Sequence, residues 1–276
     1  MKNIKKTTLK TEWNLKALYA SITDKALEKD LEDSEKAYSA FASKYKNNTE
    51  YMKDENALAQ ALSDYEEILD LPTWKPYIYL RLNQDTDSQN QAVRSRFTQV
   101  QERIQKISNI TLFFEINLSK ISAPLQQKLL SSKKLTSYTY FLKKIFEASK
   151  FVLSEQEEKI INLKSLPAKS LWVDAVKKAK GKLSVVHKGK KLPLAAAEAL
   201  VRELPTQKER KELHVKIMDQ YMTISDMAEA ELNAVVINKK INDELRGHEM
   251  PYDSTILGYE NDKATVLNLV DIVTKS

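Results

Sequence analysis

His248 and Glu249 are the adjacent pair that most invites a metal reading, because a helix carrying H-E-x-x-H puts two imidazoles on one face with a carboxylate as general base. The fourth position here is Tyr252, and Pro251 would interrupt the helix that must present both ligands. The other histidines, His187 and His214, share no ligand spacing with His248, and the chain contains no Cys. No metal ligand and no catalytic residue is therefore assigned from these residues. His187 is expected as a hairpin side chain, and His214 on a helix face.

Carboxylate pairs such as Glu157/Glu158 and Glu229/Glu231 could do acid–base work, but helical surfaces rich in Glu and Lys generate such pairs by default. Gly189-Lys190 and Gly181-Lys182-Leu183-Ser184 lack the spacing of a phosphate-binding loop. Tyr138, Tyr140, Phe141, Phe146 and Phe151 could line a peptide cleft, yet their near-helical spacing favours core packing. Tyr252, following the Arg246-Gly247 turn, is the residue expected to face a cleft and bind substrate.

Charge is unevenly spread. Residues 128–191 hold 16 Lys and no Arg against five acids, a local excess well above the +6 of the whole chain. Without Arg for bidentate contacts or any reader motif, solvated helix faces explain this belt better than nucleic-acid binding, so no nucleic-acid partner is expected. The N-terminal Lys2, Lys5, Lys6 and Lys10 are followed by no apolar core of a signal peptide, and no run is long enough to span a membrane. A cytoplasmic protein without membrane contact is the expectation.

Four Gly and seven Pro in 276 residues, with 42% hydrophobic content, favour long helices around a sizeable core. The fold class expected is all-α, an array of long antiparallel helices with one small β-hairpin near 182–192. Asp24 is placed as the N-cap of a helix to about Tyr45, Asp54 as that of a second, and Asp87 or Ser88 as that of a third. Asn83 to Asn90 reads as a polar loop, and Ser154 with Glu157 fits a capping box. From Thr206 to Leu245 an apolar repeat through Leu213, Ile217, Tyr221, Ile224 and Ala228 predicts one helix of roughly 60 Å, stopped by Gly247. Asp262 caps a last helix.

Three strings then carry a resemblance: LFFEINL from Leu112, YTYFL from Tyr138 and LSEQEE from Leu153. In that order they resemble the N-terminal region of the oligoendopeptidase F family of zinc metallopeptidases, as does the opening Trp13-x-Leu15-x-x-Leu18-Tyr19. A later stretch is similar to the segment that begins the family's catalytic half, with Arg210, Tyr221, Leu232, Asn233, Val236, Arg246, Gly247 and Tyr252 at the matching positions. It departs at LPTQKERKEL, where the family usually has an acidic residue before its Arg.

The resemblance implies the N-terminal, channel-forming part of an enzyme that hydrolyses short peptides, with one zinc in the full-length parent and none in this chain. It also implies a catalytic C-terminal domain as the missing partner, a truncated chain, and no activity for this part alone. Domain boundaries expected are 1–112 for an N-terminal bundle, 113–195 for the oligopeptidase N-terminal domain with its hairpin, and 196–276 for the start of the catalytic domain. The alternative is a stand-alone helical interaction or scaffold protein.

Overall fold

The computed structural model of the chain describes residues 14–87 and 89–276. The Trp13 anchor, the N-terminal lysine cluster and a cap at Ser88 lie outside those residues. Helix α1 (Lys25–Tyr45) starts where Asp24 accepts the Ala26 N–H, and it buries Leu27, Leu31, Tyr38, Phe41 and Tyr45 along one stripe. Helix α2 (Glu55–Leu69) starts where Asp54 accepts the Asn56 and Ala57 N–H groups. A 3-10 turn at Pro72–Trp74 redirects the chain into α3 (Lys75–Thr86), so the segment expected as a polar loop from Asn83 is helical through Thr86.

Helix α4 (Gln91–Ser119) is capped by Asn90, whose side-chain oxygen accepts the Val93 N–H, rather than by Asp87. Its C-terminal half contains the LFFEINL string. The reason for that string is packing. Phe114 is fully buried, with its ring 5.1 Å from Phe41, 5.1 Å from Tyr51 and 4.8 Å from Tyr65. Glu115 accepts the Tyr65 hydroxyl at 2.9 Å, and Asn117 donates to the Tyr51 hydroxyl at 3.0 Å. The apolar rings thus join α1, α2 and α4, and the polar residues between them satisfy the hydroxyls that those rings bring inside.

Four shorter helices follow: α5 (Ala123–Leu130), α6 (Thr139–Ala148), α7 (Glu155–Ser165) and α8 (Leu171–Lys180). A π turn at Leu166–Ser170 joins the last two. Strands β1 (Ser184–His187) and β2 (Lys190–Pro193) form an antiparallel hairpin in which His187 pairs with Lys190 and Ser184 with Pro193. Lys188 and Gly189 both have positive φ, as a two-residue type I′ loop requires. Alternation from that loop puts Pro193 at a position whose N–H would point away from β1, so its missing donor costs nothing.

A second apolar cluster, Val185, Leu194, Ala197, Leu204, Leu213 and Ile217, joins the hairpin to α9 (Leu194–Glu203) and α10 (Gln207–Met222). The chain then breaks. The single helix expected across 206–245 is two, α10 and α11 (Ser225–Arg246), interrupted at Thr223 and Ile224. Thr223 turns its hydroxyl back onto the Gln220 carbonyl at 2.6 Å and Ser225 bonds the Met222 carbonyl at 3.0 Å, local bonds that compete with helix continuation. Beyond α11 come α12 (Asp253–Gly258) and α13 (Lys263–Lys275), the latter capped by Asp262. The all-α array with one small hairpin is thus the observed fold.

Candidate functional site

The C-terminal end of α11 brings together residues from strings that lie far apart in sequence. Gly247 ends the helix with φ +75°, the left-handed region, and its N–H and that of His248 return to the Glu244 and Asp243 carbonyls at 3.1 and 2.9 Å. That closure lays Arg246 against the start of α7. There the capping box of Ser154 and Glu157 fixes the first turn, which aims Glu158 inward.

Arg246 meets Glu158 as a fork, Nη1 to Oε1 at 2.5 Å and Nη2 to Oε2 at 2.7 Å, and Nη1 also donates to the Phe151 carbonyl at 3.2 Å. The Leu153 N–H completes the carboxylate at 3.1 Å. Burial alone would raise the Glu158 pKa, but the Arg246 hydrogen bonds and the Leu153 N–H outweigh it and hold the carboxyl below its ordinary value. The guanidinium is committed to Glu158, so it is not a free clamp for a substrate carboxylate.

His248 stacks on Phe151 with ring centroids 4.0 Å apart, and its Nδ1 is buried without a partner. Burial depresses its pKa, against the pull of Asp243 and Asp253 and with the repulsion of Arg246 and Lys239, so the ring is neutral at neutral pH. Next to it, Asp243 accepts the Ser254 hydroxyl at 2.9 Å and pairs with Lys239, which also donates to the Pro251 carbonyl at 2.5 Å. These bonds fix the turn that carries Tyr252. The Tyr252 ring is half-buried, with the Lys263 ammonium 5.7 Å from its centroid, and Lys263 pairs with Asp253 at 2.7 Å.

Two adjoining spaces flank Phe151, Arg246 and Leu257. One, of about 510 Å³, opens between Lys150 and the turn at Gly247, with Glu249, Asn261 and Lys263 on its walls. The other, of about 440 Å³, extends toward Glu115 and Phe141 and includes His248 and Ser254. The cluster of aromatics is accordingly divided: Phe146 is buried and Tyr138 and Phe141 pack on the core, whereas Tyr140 is exposed and Phe151 lines both spaces.

The two spaces have apolar walls at Phe151 and Leu257 and charged walls at Arg246, Glu249 and Lys263. They do not present a nucleophile with its base. A zinc ion does not fit these residues: among the described residues no three His, Asp or Glu side chains are grouped to hold a metal. His187 lies in β1 and His214 on the exposed face of α10, in different elements from His248.

The other residues of the later matching segment divide in two. Arg210 donates to the Leu204 and Pro205 carbonyls at 2.8 and 3.1 Å, and Tyr221 bonds Glu198, so both hold α9 to α10. Leu232 and Val236 are exposed on α11. No local sequence pattern marks the Glu158–Arg246 fork or the Phe151–His248 stack. The recurrence of Glu158 and Arg246 in two matching strings is the signal that could have suggested a contact.

The middle of the chain and the fold as a whole are each similar to known proteins. Residues 118–175 match the family model described as Oligopeptidase F. Among solved structures it is similar to oligoendopeptidase-F from Enterococcus faecium, at 16% identity and a TM-score of 0.71, over 95% of this chain and 50% of that one. It is also similar to a Chlamydophila abortus protein provisionally described as a peptidase, at 20% identity and a TM-score of 0.59, over 95% of this chain and 44% of that one. The chain thus spans about half the length of the solved structures that it matches. No curated protein matches it. Among the described residues no helix is long and apolar enough to cross a membrane.

Proposed function

We propose that this chain forms one wall of the substrate channel, and the scaffold for the catalytic part, of a zinc-dependent oligoendopeptidase that cuts short peptides in the cytoplasm. The observation that carries this reading is the apolar face left open on α11 and α13. Leu232 is 63% exposed, and Val236, Ile237, Ile241 and Leu245 are open on the same helix. Helix α13 buries none of its residues, and its Leu269, Val270, Ile272 and Val273 are all exposed. Faces of this kind are covered by other protein in a complete fold. The catalytic domain of the peptidase is the proposed cover, and the boundaries 1–112, 113–195 and 196–276 are the proposed division of this chain.

In this reading zinc would polarise the scissile carbonyl and activate water from ligands outside the present residues. This chain's own part is to bind and orient the peptide. The Glu158–Arg246 fork and the Asp243–Ser254 bond hold the turn, Phe151 and Leu257 supply apolar wall, and Tyr252 contributes a substrate contact beside Lys263.

The test is hydrolysis of a short quenched-fluorescent peptide. The chain alone, with zinc added, is expected to give no turnover above zinc in buffer, and turnover is expected when the catalytic part is supplied. Chelator-sensitive turnover by the chain alone would overturn the assignment of inactivity, and a stable complex-free chain that gains nothing from the catalytic part would favour a stand-alone scaffold.

A further inference from the structure

A second groove runs between α3 and α4 on one side and the π turn and α8 on the other. It consists of two spaces, about 360 Å³ and about 290 Å³, that share Gln84 and Asp174 as walls. Cations dominate it: Arg81, Arg94, Lys169, Lys177 and Lys178 line the two spaces, against the single carboxylate of Asp174. Three of these, Lys169, Lys177 and Lys178, come from the lysine-rich belt that the peptide-cleaving role leaves unused.

Two polar atoms at this groove are buried without a hydrogen-bond partner, as the Nδ1 of His248 is elsewhere. The Nη1 of Arg94 is buried and has no hydrogen-bond partner, and the same is true of the Gln101 amide oxygen. A buried guanidinium nitrogen without an acceptor is costly, and the amide of Gln101 can turn either its oxygen or its NH2 toward a ligand. Asp174 has no ion pair within 4 Å among the described residues; burial pushes its carboxyl up, with Lys177 and Arg81 pulling it down. Lys177 is tied to Asp85, which fixes α8 against α3 at the rim. The π turn, an uncommon geometry that recurs at functional sites, sets Lys169 and Ser170 into the wall.

We propose that this groove binds a small multivalent oxyanion, a phosphate or a polycarboxylate, with Arg94 as its bidentate clamp, Lys178 beside it, and Arg81 and Lys177 beyond the Asp174 wall. Arg is suited to the role because its planar fork matches both kinds of anion and stays charged. The site is separate from the cleft at Gly247 and does not depend on the peptidase reading.

The experiment is calorimetric titration of the full chain with inorganic phosphate and, separately, citrate, at constant ionic strength set with chloride. Saturable single-site binding of either is expected, the tighter one identifying the source of the anion. Arg94→Gln is expected to weaken binding about tenfold or more, the scale of one charge-assisted fork. Asp174→Asn is expected to tighten it by removing the opposing carboxylate. Arg202→Gln, an identical change of charge on the exposed face of α9, is expected to leave affinity within about twofold because screening removes distant charges. Circular dichroism checks that each variant folds; should Arg94→Gln not fold, Lys178→Gln, at an exposed position, is read instead. No saturable binding of either anion, or equal weakening by Arg202→Gln, would overturn the proposal.

Discussion

Removing either partner of the Glu158–Arg246 fork leaves the other charge half-buried with unmatched hydrogen bonds. Glu158→Gln and Arg246→Met are each expected to destabilise the fold by on the order of 3 kcal/mol, and the double variant by less than the sum of the two, because the second change removes the orphaned charge. Chemical denaturation of the four proteins measures this directly. The pH dependence follows from the same residue. Because Glu158 has a lowered pKa when folded, its contribution is full above the ordinary carboxylate range and is lost as pH falls through the folded value. Glu158→Gln should flatten that acid limb. His248 acts in the same direction at higher pH: its folded pKa is depressed, so the unfolded chain takes the proton first and stability declines as pH drops below about 6.5. A His248→Phe variant that kept the same slope between neutral pH and the carboxylate range would contradict this account.

Elements were legible where their signals are local. Asp24, Asp54, Ser154 and Asp262 each cap the helix that follows them, because a cap involves only the next three residues. Gly247 likewise stops α11, and Gly247→Ala is expected to cost about 1 kcal/mol from backbone strain alone, since an added Cβ would meet nothing within 4 Å. A thermal shift smaller than that of an ordinary surface substitution would contradict a strain origin. The break at Thr223–Ile224 was not legible, because the apolar repeat runs through it from Tyr221 to Ala228 with helical spacing intact. Likewise, the cap of α4 was expected at Asp87 or Ser88, whereas the Asn90 side chain caps it. The turn after Arg246 was legible, but the pairing of Arg246 with Glu158 was not. Those two side chains are 88 positions apart, and nothing local specifies their meeting.

At the scale of the whole molecule, the two apolar clusters leave the α11 and α13 faces uncovered. Leu232→Lys and Val270→Lys are therefore expected to change unfolding free energy by no more than about 0.5 kcal/mol while reducing binding of a hydrophobic dye and self-association in sedimentation velocity. A large loss of stability would mean that these faces pack within the chain. The proposal that this fold is one half of a zinc oligopeptidase is tested most directly by reading the coding sequence beyond codon 276. An open frame that leads to H-E-x-x-H on a helix is expected; a stop codon there, with no such frame alongside, would contradict the proposal and favour a non-catalytic scaffold.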